Sequence, residues 1–183
     1  MITGCDIAKN ALLPKWENYT YDQLDCQAFV EAVLKDIGVR KENGQPFNWS
    51  GSNSMYRNYY YWHGTIAECK KKFGRIPVGA FVYMWKESGQ PQSYKDQLGN
   101  FCHVGIYVGN DLVRDSTRST KTKRNGPATR SISGFTYCSL FAGIDYSTDN
   151  SYNATVDVAI ATIDRIRNML IELEDTIHGL SGG

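Results

Sequence analysis

The chain carries a cysteine at the start of a predicted helix and a histidine on a predicted strand, far apart in the sequence. Residues 25–30 read Asp-Cys-Gln-Ala-Phe-Val and open a stretch with the apolar periodicity of a helix. Residues 103–109 read His-Val-Gly-Ile-Tyr-Val-Gly and alternate as strand residues do. A cysteine nucleophile needs both groups, because the thiolate attacks and a nearby histidine takes and returns its proton. We therefore expect a fold that brings Cys26 and His103 together.

The helix that begins at the cysteine has clear start and stop signals. Asp25 is a suitable N-cap for a helix over 26–37, and Gly38 is a suitable end. The unpaired N–H groups at a helix start carry partial positive charge and favour a thiolate at Cys26. The apolar residues of the predicted buried stripe follow at intervals of one turn: Phe29, Val33 and Ile37.

The rest of the first 148 residues predicts a mixture of helices and strands. A basic, polar stretch over 117–130 is predicted to be a solvated loop. The predicted elements are a helix over 5–13, a loop over 14–24, a helix over 65–73, and strands over 78–85, 101–108, 112–116 and within 135–146.

Strand geometry suggests an acidic partner for the histidine. Side chains alternate along a strand, so His103 and Gly105 share a face. A three-residue turn at 109–111 would place Asp115 opposite Gly105 and diagonal to His103, whereas a two-residue turn would put it on the other face. There Asp115 would orient the imidazole and stabilise its protonated form. The alternative is a surface carboxylate paired with a neighbouring arginine.

Cysteine usage argues against a disulfide framework or a metal centre. The five cysteines are odd in number and irregularly spaced, and no Cys-x-x-Cys pair occurs. His63 and Cys69 form only a weak metal pattern. We expect a reduced chain, made in the cytoplasm, with no metal and no cofactor.

Charge and hydropathy exclude several partner classes. The formal net charge is +1, and no apolar run reaches the length of a membrane span. The basic stretch has no interleaved aromatic residue and no nucleic-acid motif, so we expect no nucleic-acid partner. The N-terminus lacks a basic region followed by an apolar one, so no signal peptide is visible.

The C-terminal segment has a different pattern and divides the chain into 1–148 and 149–183. Two apolar series repeat every seven positions, offset by three: Val156, Ile163, Leu170 and Ile177, then Ala159, Ile166, Leu173 and Leu180. Such a seam is typical of a coiled coil, and it predicts a homo-oligomer formed through 154–180. A long helix packed back on its own domain is the alternative.

Three segments resemble the NlpC/p60 family of papain-like cysteine peptidases. The family's nucleophile motif, roughly D-C-S-G-F/L-V, is similar to D-C-Q-A-F-V at 25–30. Its histidine strand, roughly H-V-G-I-Y-I-G-N, is similar to 103–110, where only Val108 differs. Its middle strand, P-G-D-L-V-F-F, resembles 77–83 with one inserted residue. The family's third catalytic position, about twelve residues after the histidine, falls on Asp115.

The resemblance implies an α+β, papain-like fold, with helices packed on a small antiparallel sheet. It implies hydrolysis of an amide bond in peptidoglycan stem peptides through a thioester. Cys26 would attack, His103 would shuttle the proton and Asp115 would orient His103. The protein would act on the bacterial cell wall, for example as a phage or prophage lysin. Three residues around the nucleophile would bind substrate: Gln27, Trp16 and Tyr21.

The chain departs from the family's pattern at several positions. The family's usual tyrosine upstream of the cysteine is missing, and Tyr19 or Tyr21 would replace it at the oxyanion. Gln27 and Ala28 replace serine and glycine, and two insertions, near 43–75 and 86–100, would line the cleft. Two other functions stay open: an amidase or acyltransferase on the same thiol scaffold, and an inactive wall-binding module.

Overall fold

A computed structural model describes residues 1–147 and Ile166. The chain divides into two units, Met1–Tyr152 and Asn153–Gly183. Apart from Ile166, the predicted heptad seam lies outside the described residues; Ile166 is helical and exposed. Among the described residues, no helix is long and apolar enough to cross a membrane.

The described part of the chain is α+β, with four short α-helices and one six-stranded sheet. The helices are α1 (Gly4–Ala11), α2 (Cys26–Asp36), α3 (Ser52–Arg57) and α4 (Ile66–Phe73), with a 3₁₀ turn at Pro14–Asn18. The strands are β1 (Tyr60–Thr65), β2 (Phe81–Lys86), β3 (Asn100–Gly109), β4 (Leu112–Ser119), β5 (Arg124–Ser131) and β6 (Tyr137–Phe141). The sheet is antiparallel, in the order β1-β6-β2-β3-β4-β5.

Helix α2 begins at the predicted residue and ends at Asp36, one residue before the predicted end. The Asp25 carboxylate accepts a hydrogen bond from the backbone N–H of Ala28 at 2.8 Å, which caps the helix. Gly38 follows the helix with φ of +81°, a backbone conformation that glycine adopts without steric cost. Helix α2 packs against β3 and β4, and its buried apolar residues include Phe29, Val30, Val33 and Leu34. This packing fixes the start of α2 against the middle of the sheet.

The β3–β4 hairpin differs from its prediction at the turn but keeps the predicted register. The turn has two residues, Asn110 and Asp111, both with positive φ, instead of the predicted three. A β-bulge between Tyr107 and Gly109 adds the residue that the shorter turn lacks. Because the bulge compensates for the turn, Asp115 stays on the face that the longer turn predicted.

Gly105 allows the two strands to approach closely beside that carboxylate. A Cβ atom at this position would lie 2.9 Å from the Cβ of Asp115 and 2.5 Å from a methyl group of Val113. Both distances are far too short for real atoms, so a larger residue would force the strands apart. Glycine at 105 therefore helps to place Asp115 near His103.

The prediction of a solvated loop over 117–130 is wrong. Strand β4 continues to Ser119, and β5 pairs with it from Arg124 to Ser131. Polar residues suit β5 because it is an edge strand, which has only one neighbour and one flank open to water. The opposite edge, β1, is a strand that the sequence pattern does not predict.

Candidate active site

The start of α2 and the middle of β3 bring together the thiol of Cys26 and the imidazole of His103. Cys26 is the first residue of α2, and its side chain is almost fully buried. It lies close enough to His103 for the two side chains to interact, and this interaction raises the pKa of the imidazole. The chain thus forms the contact expected of a nucleophile and its base.

Asp115 contacts the same imidazole from β4. Its Oδ2 lies 2.5 Å from Nε2 of His103, and the two side chains are 0% and 12% exposed, respectively. Because Nε2 bonds the carboxylate, Nδ1 is the ring nitrogen left for the thiol. The predicted contact between Asp115 and His103 is present, and the three residues form a continuous line from thiol to carboxylate.

The surroundings of His103 favour its charged form. Burial lowers the pKa of the imidazole, but hydrogen bonds and charge interactions with Asp115 and Cys26 outweigh burial and raise the pKa to about 9. The imidazole is therefore protonated at neutral pH.

Arg130, on β5, is a charged neighbour of Asp115 that the sequence reasoning missed. Its Nε donates to Oδ2 of Asp115 at 2.8 Å, and its Nη2 lies 2.6 Å from the same oxygen. In the β4–β5 register Asp115 lies opposite Ala128, so Arg130 is on the same face and diagonal to the carboxylate. The proximity of Arg130 to Asp115 can be predicted from the sequence only if β5 is recognised as a strand.

Tyr21 lies at the thiol, in the loop that precedes α2. Its hydroxyl lies near Cys26, and the pKa of this hydroxyl is raised by burial and by interactions with Cys26 and Asp25. The loop is anchored to β5, since the backbone N–H of Tyr21 donates to the side chain of Asn125 at 3.2 Å. The Arg118 guanidinium lies 5.4 Å from the centroid of the Tyr21 ring.

Tyr19, the other tyrosine considered for the oxyanion, is placed differently. Its exposed ring is 6.2 Å from that of Trp16, and its backbone carbonyl lies against Gly126 of β5. The structure describes no contact between Tyr19 and Cys26. Of the two candidates, Tyr21 is therefore the one placed to act at the thiol.

The other two predicted substrate-binding residues are engaged inside the protein. Trp16 is buried, and its indole N–H donates to the backbone carbonyl of Asn10 at 2.7 Å. The amide of Gln27 donates to Glu31 and to the carbonyl of Trp49, and it accepts from the backbone N–H of Gly51. These contacts are structural, and a role for Trp16 or Gln27 in substrate binding stays a prediction.

The first insertion, 43–75, reaches the site through these contacts of Gln27. Because Gln27 follows the nucleophile directly, its bond to Gly51 holds the loop before α3 beside the start of α2. The next residue, Ser52 of α3, donates to the carbonyl of Phe101 on β3 at 2.6 Å. The insertion thus spans from the nucleophile's helix to the histidine's strand.

Within residues 1–147 and Ile166, no group of three or more histidine, cysteine or acidic side chains could hold a metal ion.

Comparisons with known proteins give no further guide to function: no family model, no curated protein and no solved structure matches the chain. The arrangement of Cys26, His103 and Asp115 is therefore the main basis for a functional assignment. Chemically, it is suited to nucleophilic attack by a thiolate on an acyl carbon.

Proposed function

We propose that the chain is a cysteine hydrolase with a papain-like arrangement, which cleaves an amide bond in peptidoglycan stem peptides. The observation that supports this best is the line of contacts from Cys26, at a helix start, through His103 to the buried Asp115. The class of reaction follows from these residues. The cell-wall substrate follows from the resemblance of 25–30, 77–83 and 103–110 to NlpC/p60 peptidases.

In the first half of the reaction, the Cys26 thiolate attacks the carbonyl carbon of the scissile amide. A C–S bond forms, and the carbonyl oxygen becomes an oxyanion. His103 then gives its Nδ1 proton to the amide nitrogen, the C–N bond breaks, and the amine leaves. The remaining acyl group is bound to Cys26 as a thioester.

In the second half, water replaces the amine. Neutral His103 takes a proton from the water as its oxygen attacks the thioester carbon. The C–S bond then breaks, the new carboxylic acid leaves, and the thiolate–imidazolium pair is restored. No net proton is taken up by the site over the whole cycle.

The oxyanion needs hydrogen-bond donors, and two groups near the thiol are candidates for this role. The backbone N–H of Cys26 lies in the first turn of α2, where N–H groups have no partner within the helix. The hydroxyl of Tyr21 is also near the Cys26 thiol. We propose that both donate to the oxyanion.

The alternatives to a peptidase differ in what they require of this site. An inactive wall-binding module has no need for Cys26 and His103 to interact, and their contact favours the enzymatic interpretation. An N-acetylmuramoyl-L-alanine amidase or an acyltransferase would use the same three residues. These two functions differ from a peptidase only in the bond cleaved or in the acceptor of the acyl group.

Mass spectrometry of purified peptidoglycan digested with the protein tests the proposal and separates the alternatives. A stem-peptide peptidase should release fragments with a new carboxylate and a new amine inside the peptide. An L-alanine amidase would free whole stem peptides from the sugar. A transferase would pass the acyl group to an acceptor other than water, so its product would gain the mass of that acceptor and would contain no added water. An unchanged fragment profile, with correctly folded protein, would contradict all three activities.

A further inference from the structure

We propose that Arg130 is a positioning residue that holds the Asp115 carboxylate against His103. Its positive charge also weakens the electrostatic attraction between this carboxylate and the imidazole proton. Its significance for catalysis rests on the proposed function. The contact geometry itself does not depend on any substrate.

The Asp115 carboxylate is bonded very unevenly. Oδ2 faces three N–H donors, namely Nε2 of His103 and both Nε and Nη2 of Arg130. Oδ1 is buried and has no hydrogen-bond partner within the described part of the chain. The orientation of the carboxylate is thus set by His103 and Arg130 together, and no third group is described that would hold it if Arg130 were removed.

Arg130 is itself fixed from several sides. It pairs with Val113 across the β4–β5 ladder, and its guanidinium carbon lies 4.6 Å from the ring centroid of Phe135. Its Nη2 also lies 3.6 Å from the sulfur of Met84 on β2. Phe135 and Met84 are neighbours of His103 as well: the two rings are 6.0 Å apart, and Met84 lies opposite His103 in the β2–β3 ladder. Arg130 and His103 are therefore packed into one cluster.

The charges around His103 can be assigned to separate elements. Cys26 faces it from α2 and Asp115 faces it from β4. Arg130, on β5, acts through Asp115, and Tyr21 acts through Cys26. The remaining neighbours described above, Met84 and Phe135, carry no charge. Since its guanidinium shares the oxygen that His103 uses, Arg130 is the nearest positive charge in this set.

This arrangement determines in which direction each substitution changes the pH at which His103 loses its proton. Removing the Arg130 charge leaves the full negative charge of Asp115 facing the imidazolium, so His103 should keep its proton to a higher pH. Removing the Asp115 charge should have the opposite effect. A proton held too tightly is returned slowly to the leaving amine, so Arg130 should increase the rate of the proton transfer.

The pH dependence of Cys26 alkylation by iodoacetamide tests this without any substrate. Peptide mass spectrometry of the full chain would follow the alkylation of Cys26 alone. The change in the alkylation rate at alkaline pH, called the alkaline wave here, reports deprotonation of His103. Relative to wild type, we expect the wave to move to higher pH in Arg130→Gln, to move to lower pH in Asp115→Asn, and to move little in Arg130→Lys, which keeps the charge. A wave in Arg130→Gln that stays in place or moves to lower pH would overturn the proposal.

A double variant protects the test from misfolding and checks the route of the effect. Asp115→Asn with Arg130→Gln contains no unpaired buried carboxylate, so it should fold even if Arg130→Gln alone does not. If Arg130 acts through Asp115, its removal should move the wave much less in the Asp115→Asn background than in wild type. An equally large shift in both backgrounds would contradict the proposed route.

Steady-state hydrolysis of peptidoglycan fragments separates this proposal from the proposed function. In Arg130→Gln we expect kcat to fall about tenfold with KM nearly unchanged, because the residue acts on proton transfer and not on binding. If wild type alkylates as expected but hydrolyses nothing, the proposed function fails and the role of Arg130 stands. If wild type hydrolyses peptidoglycan and Arg130→Gln leaves both kcat and the alkaline wave unchanged, only the role of Arg130 fails.

Discussion

His103 and Asp115 contact each other across the β3–β4 hairpin, with Nε2 of the imidazole 2.5 Å from Oδ2 of the carboxylate. The carboxylate is fully buried, and the imidazole nearly so. Water therefore screens this charge interaction little, and the orientation of the ring is fixed before any substrate arrives. The ring nitrogen that faces away from Asp115 is the one available to the thiol.

Replacing Asp115 with asparagine should reduce turnover more than affinity. The amide keeps the size of the carboxylate but loses the charge that raises the pKa of His103 to about 9. We expect kcat to fall by at least about a hundredfold, since the imidazolium loses its stabilising partner. In a pH–rate profile, the alkaline limb should move below its wild-type position near pH 9. A variant with normal kcat and an unmoved alkaline limb would exclude Asp115 as the orienting group.

Tyr21 and Tyr19 provide a matched pair for testing the oxyanion donor. Only Tyr21 has its hydroxyl next to Cys26, whereas Tyr19 packs near Trp16. We expect Tyr21→Phe to lower kcat roughly a hundredfold, the usual cost of losing one oxyanion donor, with little change in KM. Tyr19→Phe is the control and should retain wild-type kinetics. Equal activity in the two variants would leave the backbone N–H of Cys26 as the only proposed donor.

The charged state of His103 should also make stability depend on pH. Its pKa is raised from 6.5 to about 9 in the folded protein, so its contribution is complete below pH 6.5 and is lost as pH rises through 9. The contribution is at most about 3–4 kcal/mol, since one pKa unit corresponds to about 1.4 kcal/mol. Urea unfolding of wild type and of His103→Gln would measure it. The stability difference between the two proteins should shrink between pH 6.5 and pH 9, and a constant difference would contradict the raised pKa.

Much of the site could be predicted because its residues lie in short local patterns. Asp25 and the periodic apolar residues after it predict the start of α2 from a few neighbouring positions, and alternation predicts β3 around His103. The two-residue turn was not predictable in the same way, because the bulge that corrects the register has no strong local signal. Asp115 lies on the predicted face, but a two-residue turn and a bulge place it there instead of the predicted three-residue turn.

Arg130 could not be predicted as a neighbour of Asp115 because its strand is polar. An edge strand with one neighbour needs few apolar residues, so β5 resembles a solvated loop in composition. Only the pairing of β5 with β4 places Arg130 diagonal to Asp115. Strand β1 was missed for a related reason, since its exposed tyrosines do not alternate with polar residues.

The predicted oligomer can be tested independently of the site. A coiled coil through 154–180 predicts sedimentation as a dimer or small oligomer, because the seam residues need an apolar partner. Leu170→Asp would place a charge in the seam and should give a monomer that still hydrolyses small soluble peptides. If the intact wild-type chain sediments as a monomer, the oligomer is wrong.

Hydrolysis of purified peptidoglycan by two cysteine variants tests most directly whether Cys26 is the nucleophile. Cys102 neighbours His103 in the sequence, and its thiol faces the carbonyl of Met84, which makes Cys102→Ala a matched control. Each variant should cost about 1 kcal/mol or less in stability, which corresponds to a change in Tm of only a few degrees. We predict that Cys26→Ala releases no peptide fragments while Cys102→Ala retains wild-type activity. Full hydrolysis by folded Cys26→Ala would contradict the account.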